Sequence, residues 1–183
     1  MDQVFRKRLA HTECQVLQSR YYQSFLRFLL AAEYIQITRI VAYGLGKVSM
    51  AIPAMHQAVF CAQLAKRLQV PLSAYDPIFS AADLDLLKHL GYQEEVFPFA
   101  VSPLEKTLVF MPHCDAAVNN AVLEHLARHP NNQFLLFCNT LTSEQLQSVP
   151  TIERLYDISG EYARVDVFNN CNVYSLNIPH ESD

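Results

Sequence analysis

The 183-residue sequence contains no tryptophan and only four glycines, which excludes glycine-rich linkers and collagen-like repeats. Charge is scarce as well. Charged residues make up 17%, and 14 Lys and Arg against 18 Asp and Glu leave a net charge of −4, so the basic excess that drives counterion release from nucleic acid is missing. The five cysteines, Cys14, Cys61, Cys114, Cys138 and Cys171, are odd in number and include no CxxC pair. That argues against a zinc ribbon or a disulfide scaffold and for reduced, mostly buried thiols. The apolar run from Phe25 to Ala32 is broken by Arg27 and falls far short of the ~20 residues of a membrane-spanning helix. A secretory leader is not supported, because Met1 to Ala10 is polar and charged. No GxSxG, HExxH or GxxxxGK[ST] occurs, which removes the commonest hydrolase, metalloprotease and P-loop readings. The expectation is a soluble cytoplasmic protein, also nuclear, with neither a nucleic-acid nor a membrane partner.

What the sequence has is apolar bulk: 51% hydrophobic residues, with nine Tyr and eleven Phe, in a length suited to one domain. Residues 1–34 carry Phe5, Leu9, Val16, Leu17, Tyr21, Phe25, Phe28 and Leu29 at helical spacing, predicting one long or two shorter amphipathic helices over a brace of residues 1–36. The cations Arg6, Lys7 and Arg8 read as a solvated face. From residue 37 to 183, short β-branched or aromatic runs alternate with helical patterns. This is the texture of an α/β, Rossmann-like three-layer fold with a mostly parallel sheet. Strands are expected at Arg39 to Tyr43, Leu72 to Tyr75, Val96 to Phe99, Thr107 to Met111, Phe134 to Cys138, Arg164 to Phe168 and Val173 to Ile178. Helices should run from about Met50 to Leu68, from a Ser80/Asp83 capping box to Gly91, from Asp115 to about Arg128, and from Thr142 or Ser143.

In such a sheet, ligands bind beyond the carboxyl ends of the strands, where helix N-termini point free N–H groups outward. The predicted strand ends bring Gly44, Gly46, Asp76, His113, Cys114 and Asn139 to one rim. Gly44-x-Gly46-x-x-Ser49, between a strand and a helix, allows close backbone approach by a phosphate or nucleoside. The pattern has Ser49 at its third position, and Asp76 follows Gly46 by 30 residues rather than the roughly 20 of the dinucleotide fingerprint. A tight turn with Asp76 capping the next one is the alternative. His113 and Cys114 offer a haem or metal ligand, a nucleophile with its base, or a proton shuttle. Adjacent residues of an extended chain point opposite ways, so the two should not reach one metal ion; packing and loop hydrogen bonding are their alternative role. His125 and His129, one turn apart, read as surface histidines without a third ligand, and no metal site is expected. Asn119 and Asn120 are poor helix formers and suggest a polar task at the rim or toward their own backbone.

Val41-Ala42-Tyr43-Gly44-Leu45-Gly46, Tyr75-Asp76-Pro77-Ile78-Phe79-Ser80, Leu87-Lys88-His89-Leu90-Gly91, Phe110-Met111-Pro112-His113-Cys114 with Asn119-Asn120, and Cys138-Asn139-Thr140 together resemble the sensitivity-to-red-light-reduced family. With Val167-Phe168-Asn169-Asn170, the likeness spans about residues 38–178. It implies a Rossmann-like domain in a family tied to circadian and light signalling and to regulation of haem biosynthesis. It also implies shared polar residues at Gly44, Gly46, Asp76, Pro77, Ser80, His113, Cys114, Asn119, Asn120 and Asn139. Lys47 and Asn170 depart from the family pattern. Three functions are open: a regulator binding a small ligand at the rim, with haem on His113 or Cys114 as one version; an S-adenosylmethionine- or nucleotide-dependent transferase, with Asp76 holding the ribose; and an interaction module that meets a protein partner through its N-terminal helices.

Overall fold

Alternation of buried residues along short apolar strands builds the centre of the molecule. The computed structural model describes residues 3–31, 36–102, 105–149, 152–157, 165–168 and 170–176. Among these, the strands are β1 (Arg39–Tyr43), β2 (Leu72–Tyr75), β3 (Gln93–Glu94), β4 (Lys106–Met111), β5 (Gln133–Asn139), β6 (Ile152–Asp157) and β7 (Cys171–Leu176). They form a seven-stranded sheet in the order β3-β2-β1-β4-β5-β7-β6. The first five are mutually parallel, with Ile40 opposite both Leu72 and Leu108. β7 runs antiparallel to both β5 and β6. Because the chain moves outward from β1 to β2 and then returns to place β4 on the other side, the order reverses between β1 and β4. A crevice is expected at the carboxyl end of that switch point.

The helices are α1 (Gln3–Gln18), α2 (Arg20–Ala31), α3 (Ile52–Leu68), α4 (Ala81–His89), α5 (Ala116–Ala127), α6 (Ser143–Ser148) and α7 (Val165–Phe168). Strand side chains alternate between two cores. Ile40, Ala42, Leu108, Phe110, Leu135 and Phe137 face α1, α2, α3 and α7. Val41, Tyr43, Val109, Met111, Leu136 and Cys138 join Val122, Leu123 and Leu126 of α5. The result is the expected three-layer arrangement. α3 is buried along nearly its whole length, as a helix covered on both sides must be. It starts with Pro53 in its first turn and stops at Gln69, whose left-handed backbone turns its N–H onto the Ala65 carbonyl. At its middle, the Phe60 ring lies 4.8–6.1 Å from those of Tyr21, Tyr22, Phe25, Phe110, Phe137 and Phe168. Such pairs add ~0.5–1.5 kcal/mol each beyond area burial.

Three expectations are corrected. Leu17 is 40% exposed rather than core-facing, because the helical phase resets at Ser19, whose hydroxyl donates to the Val16 carbonyl and accepts from the Tyr22 amide. Tyr22 and Leu26 face inward after that break. The third strand is Gln93–Glu94, not Val96 to Phe99. Beyond it, Phe97 and Phe99 turn onto the Tyr43 ring, and the Phe99 amide donates to the Tyr43 hydroxyl at 2.8 Å instead of to a strand. Within the segment read as a strand from Arg164 to Phe168, the described residues Val165–Phe168 are helical. Phe168 is held there by Tyr21 at 5.0 Å and by Phe60, while the place beside β5 goes to β7, which opens at Cys171. The sixth strand, Ile152–Asp157, was not read from the sequence. Arg164, Asn169, Asn177 and Ile178 lie outside the described residues. No described helix is long and apolar enough to cross a membrane.

Candidate functional site

β1 delivers the chain to the rim at Gly44, where φ is +63°, and Gly46, where φ is +74°, conformations that glycine adopts without strain. Leu45 and Val48 are buried and anchor the loop. The Gly46 amide donates to Asp76 Oδ2 at 2.8 Å, and Asp76 Oδ1 accepts from the Ile78 amide at 3.0 Å. Asp76 thus ties the end of β2 to the end of β1. A second carboxylate does the same one step along. The Ser49 amide donates to Asp83 Oδ1 at 2.7 Å, while Asp83 Oδ2 accepts from the Ser80 amide and hydroxyl at 2.8 and 2.6 Å. Burial alone would raise the Asp83 pKa, but the hydrogen bonds from Ser80 and Ser49 outweigh it and hold the carboxyl below its ordinary value.

β4 reaches the same rim. His113 takes a left-handed backbone, φ +60°, and its amide donates to Asn139 Oδ1, at the end of β5, at 2.8 Å. Its Nε2 lies 3.0 Å from the Val167 carbonyl, which also accepts from Gln57 Nε2. A carbonyl only accepts, so Nε2 carries a proton and donates it to Val167. Cys114 points the other way. Its thiol donates to the Tyr43 carbonyl at 3.5 Å and lies over Gly44, where an added Cβ would stand 2.3 Å from Sγ. Burial, then the charges of Asp76 and Asp115, push that thiol up to about 12. It is therefore a protonated, packed group rather than a nucleophile.

The nine candidate residues divide. Gly46 meets Asp76, His113 meets Asn139 and Gly44 lies under Cys114 at the carboxyl ends of β1, β2, β4 and β5, while Ser49 is held there through Asp83 rather than by another candidate. Asn119 and Asn120 lie at the start of α5, which Asp115 caps by accepting from the Val118 amide at 2.8 Å. Asn120 accepts from Gln145 Nε2 at 2.7 Å and joins α5 to α6. Asn119 is buried, with no partner for Oδ1 among the described residues. Sequence reasoning took Asp83 only as a capping partner and missed its grip on Ser49. The signal was available in part: an acid at the third helical position just after Asp76. The Val167 carbonyl left no trace in the pattern. A cleft of about 640 Å³ opens beside Ser49, between α1 and α4, lined by Phe5, Arg6, Asp85 and His89 among others; its lining does not include Asp76 or His113.

As ligand groups, the residues fit unevenly. Haem would need His113 to release Val167 or Cys114 to lose a proton that burial retains, so this pair does not fit an axial ligand as it stands. A ribose is a better match: both Asp76 oxygens keep lone pairs beside Gly46, whose Cβ direction is open for 4 Å. No cluster of three metal-ligating side chains occurs among the described residues.

The order of the strands, the switch point and the glycine turn facing an acid define a Rossmann-like domain. The fold is similar to that of 23S rRNA methyltransferase ErmE, with a TM-score of 0.50 and 14% identity over 90% of this chain and 70% of that one. The chain belongs to the SRR1 domain family, which it matches over residues 9–177. It is 26% identical to an SRR1-like protein of Drosophila melanogaster, over 97% of this chain and 70% of the fly protein. It is 33% identical to one of Mus musculus, over 46% of this chain and 36% of the mouse protein.

Proposed function

We propose that this chain is a regulatory member of its family that binds a small nucleoside-type ligand at the carboxyl rim between β1 and β4, without chemistry on that ligand. Circadian timing and control of haem biosynthesis, which the family resemblance implies, are the processes in which it would act. One observation carries the reading: at the end of β2, Asp76 is held by Gly46 and Ile78 beside the glycine loop that leaves β1, with lone pairs to spare next to an open glycine face. The binding role is favoured over catalysis by the protonated Cys114 thiol and by the engagement of His113 Nε2 with Val167. A protein partner at the N-terminal helices remains part of the proposal, on their outer side, where Val4, Leu17 and Leu30 are exposed; Tyr21, Tyr22 and Phe25 are inside the core.

A thermal-shift series with S-adenosylmethionine, S-adenosylhomocysteine, adenosine and nicotinamide dinucleotides tests this. A ligand at ~100 times its dissociation constant stabilises by about 2.7 kcal/mol, or roughly 5–10 °C for a chain of this size. The rise should vanish in Asp76→Asn. No shift with any of them would end the rim reading. The second reading, an S-adenosylmethionine-dependent transferase, is favoured by the strand order and the ErmE-like fold. In it, Asp76 would hold the ribose while the bound group supplies the methyl. Release of S-adenosylhomocysteine on mixing with cell extract would select it over the first.

A further inference from the structure

The three adjacent cations of α1 do not share one task. Successive residues of a helix point about 100° apart, so Arg6, Lys7 and Arg8 look in different directions. Arg8 is half-buried, and its Nη2 donates to the Met50 carbonyl at 3.2 Å, fixing α1 to the chain between β1 and α3. Arg6 instead borders the cleft of about 640 Å³ beside Ser49. The wall that α4 contributes carries Asp85 and His89, one turn apart, with Leu86 between them. Leu86 is buried, Phe5 of α1 is half-buried, and both pack against the main core, so together they give the cleft an apolar lining. Arg6, Asp85 and His89 are exposed, and among the described residues none of the three side chains makes a hydrogen bond or an ion pair.

A concavity of this size, with apolar lining and a few polar groups, belongs to the class that holds small molecules. Its charges narrow the choice. α1 supplies an unpaired guanidinium and α4 an unpaired carboxylate, so the two helices bring opposite signs to one cleft. From this juxtaposition we propose that the cleft between α1 and α4 is a second binding site, for a zwitterion of the amino-acid type with an apolar side chain. The ligand carboxylate meets Arg6, whose planar fork can offer it two parallel N–H groups. The ammonium meets Asp85, and the side chain lies on Phe5 and Leu86. An anion with the same apolar body would gain Arg6 but bring like charge to Asp85; a cation would gain Asp85 and meet Arg6. Neither Asp76 nor His113 lines this cleft, so the inference stands apart from the ligand proposed at the rim.

Three probes with one phenyl-ethyl body separate the charges: L-phenylalanine carries both, hydrocinnamate the carboxylate alone, and phenethylamine the ammonium alone. Each is titrated to about 10 mM, the range in which small ligands of modest affinity bind, into the isotope-labelled full chain while backbone amide shifts are followed. Ionic strength is kept low and constant, because exposed pairs weaken with salt. An exposed ion pair is worth about 1.5- to fivefold in affinity, so L-phenylalanine should bind tighter than either half-charged probe by about that factor, with shifts gathered at Phe5, Ser49, Leu86 and His89. Arg6→Gln should bring L-phenylalanine down to the level of phenethylamine, and Asp85→Asn should bring it down to that of hydrocinnamate. Lys88→Gln is the control, on α4 but lining the neighbouring cleft of about 530 Å³, and should change nothing. All three substituted residues are exposed, so the variants should keep the parent spectrum elsewhere. Equal binding by the three probes, or tighter binding by either half-charged one, would overturn the inference. Absence of L-phenylalanine shifts at the cleft residues, or shifts that survive both Arg6→Gln and Asp85→Asn undiminished, would overturn it too, and would leave the rim reading untouched.

Discussion

Placing alanine at position 44 tests the geometry of the rim directly. Two costs are expected. An L-residue at φ +63° pays about 1 kcal/mol of backbone strain, and its Cβ would stand 2.3 Å from Cys114 Sγ, forcing the buried thiol to move at about 1–3 kcal/mol for overpacking. Gly46→Ala is the built-in control, since φ is +74° but nothing lies within 4 Å of the new Cβ. It should cost about 1 kcal/mol, against about 2–4 kcal/mol for Gly44→Ala. Cys114→Ala alone should cost about 1 kcal/mol for lost packing. Combined with Gly44→Ala it removes the collision, so the double variant should be more stable than the sum of the two changes predicts, by about 1–3 kcal/mol. Urea unfolding measures all four proteins, with a shift in midpoint at constant slope as the sign of a pure stability change. If Gly44→Ala and Gly46→Ala cost the same and the cycle is additive within about 0.5 kcal/mol, Cys114 does not lie over Gly44 and the closed floor of the rim is wrong.

Ser80→Ala should cost about 1 kcal/mol as a lost cap, whereas Asp83→Ala, which also strands the Ser49 amide, should cost about 2–3 kcal/mol by urea unfolding. Because the folded Asp83 pKa lies below its ordinary 3.8, its contribution is full above the unfolded value and is lost as pH falls through the folded one. Asp83→Asn should therefore lose less stability than the parent between about pH 5 and pH 3, and parallel losses would contradict the clamp. With a chromogenic disulfide near pH 8, exposed Cys14 should react fast and half-buried Cys114 much more slowly, while Cys61, Cys138 and Cys171 react only on unfolding; a Cys114 thiol as fast as Cys14 would contradict its packing over Gly44. Removing residues 1–34 uncovers Phe60 and its ring of aromatics, so the remainder should aggregate, and a soluble, cooperatively folding product would show that α1 and α2 are detachable.

Four of the five parallel strands were legible because β1, β2, β4 and β5 are each a short apolar run with its own punctuation, whereas β3 is the polar pair Gln93–Glu94 and gives no such signal. Leu72 to Tyr75 sits between Pro71 and Asp76-Pro77, and both of its ends appear in the structure as read. Helix starts were equally plain where a side chain makes the cap: Ser80 and Asp83 form the expected capping box, Asp115 caps α5 as read, and of Thr142 and Ser143 it is Thr142 that caps α6, paired with Gln145. The carboxyl-terminal third was harder, since its local pattern is overruled by distant partners. Val165–Phe168 has the β-branched look of a strand, but Gln57 and His113 hold the Val167 carbonyl and Phe168 stacks on Tyr21. In β6, Glu153 and Arg154 interrupt the apolar signal of a strand at the sheet edge. Nothing local announces β7 as antiparallel; that follows from where the chain returns.

At the rim, sequence reasoning located the residues but not their state of use, and the difference is one of hydrogen-bond accounting. Counting Gly44, Gly46 and Ser49 against a fingerprint tests spacing, and spacing is silent on whether the Gly46 and Ser49 amides are free. In the structure both are occupied, by Asp76 at the end of β2 and Asp83 in the first turn of α4, two acids only seven residues apart. The loop is therefore rigidified by its own chain and does not need an anion to organise it, which sets it apart from a phosphate-cradling loop of the same length. The same logic applies to His113. A histidine at a strand end suggests a ligand, yet its Nε2 proton is directed by Val167 to one side and its amide by Asn139 to the other. Its Nε2 is therefore closed to a ligand for as long as the Val167 bond holds.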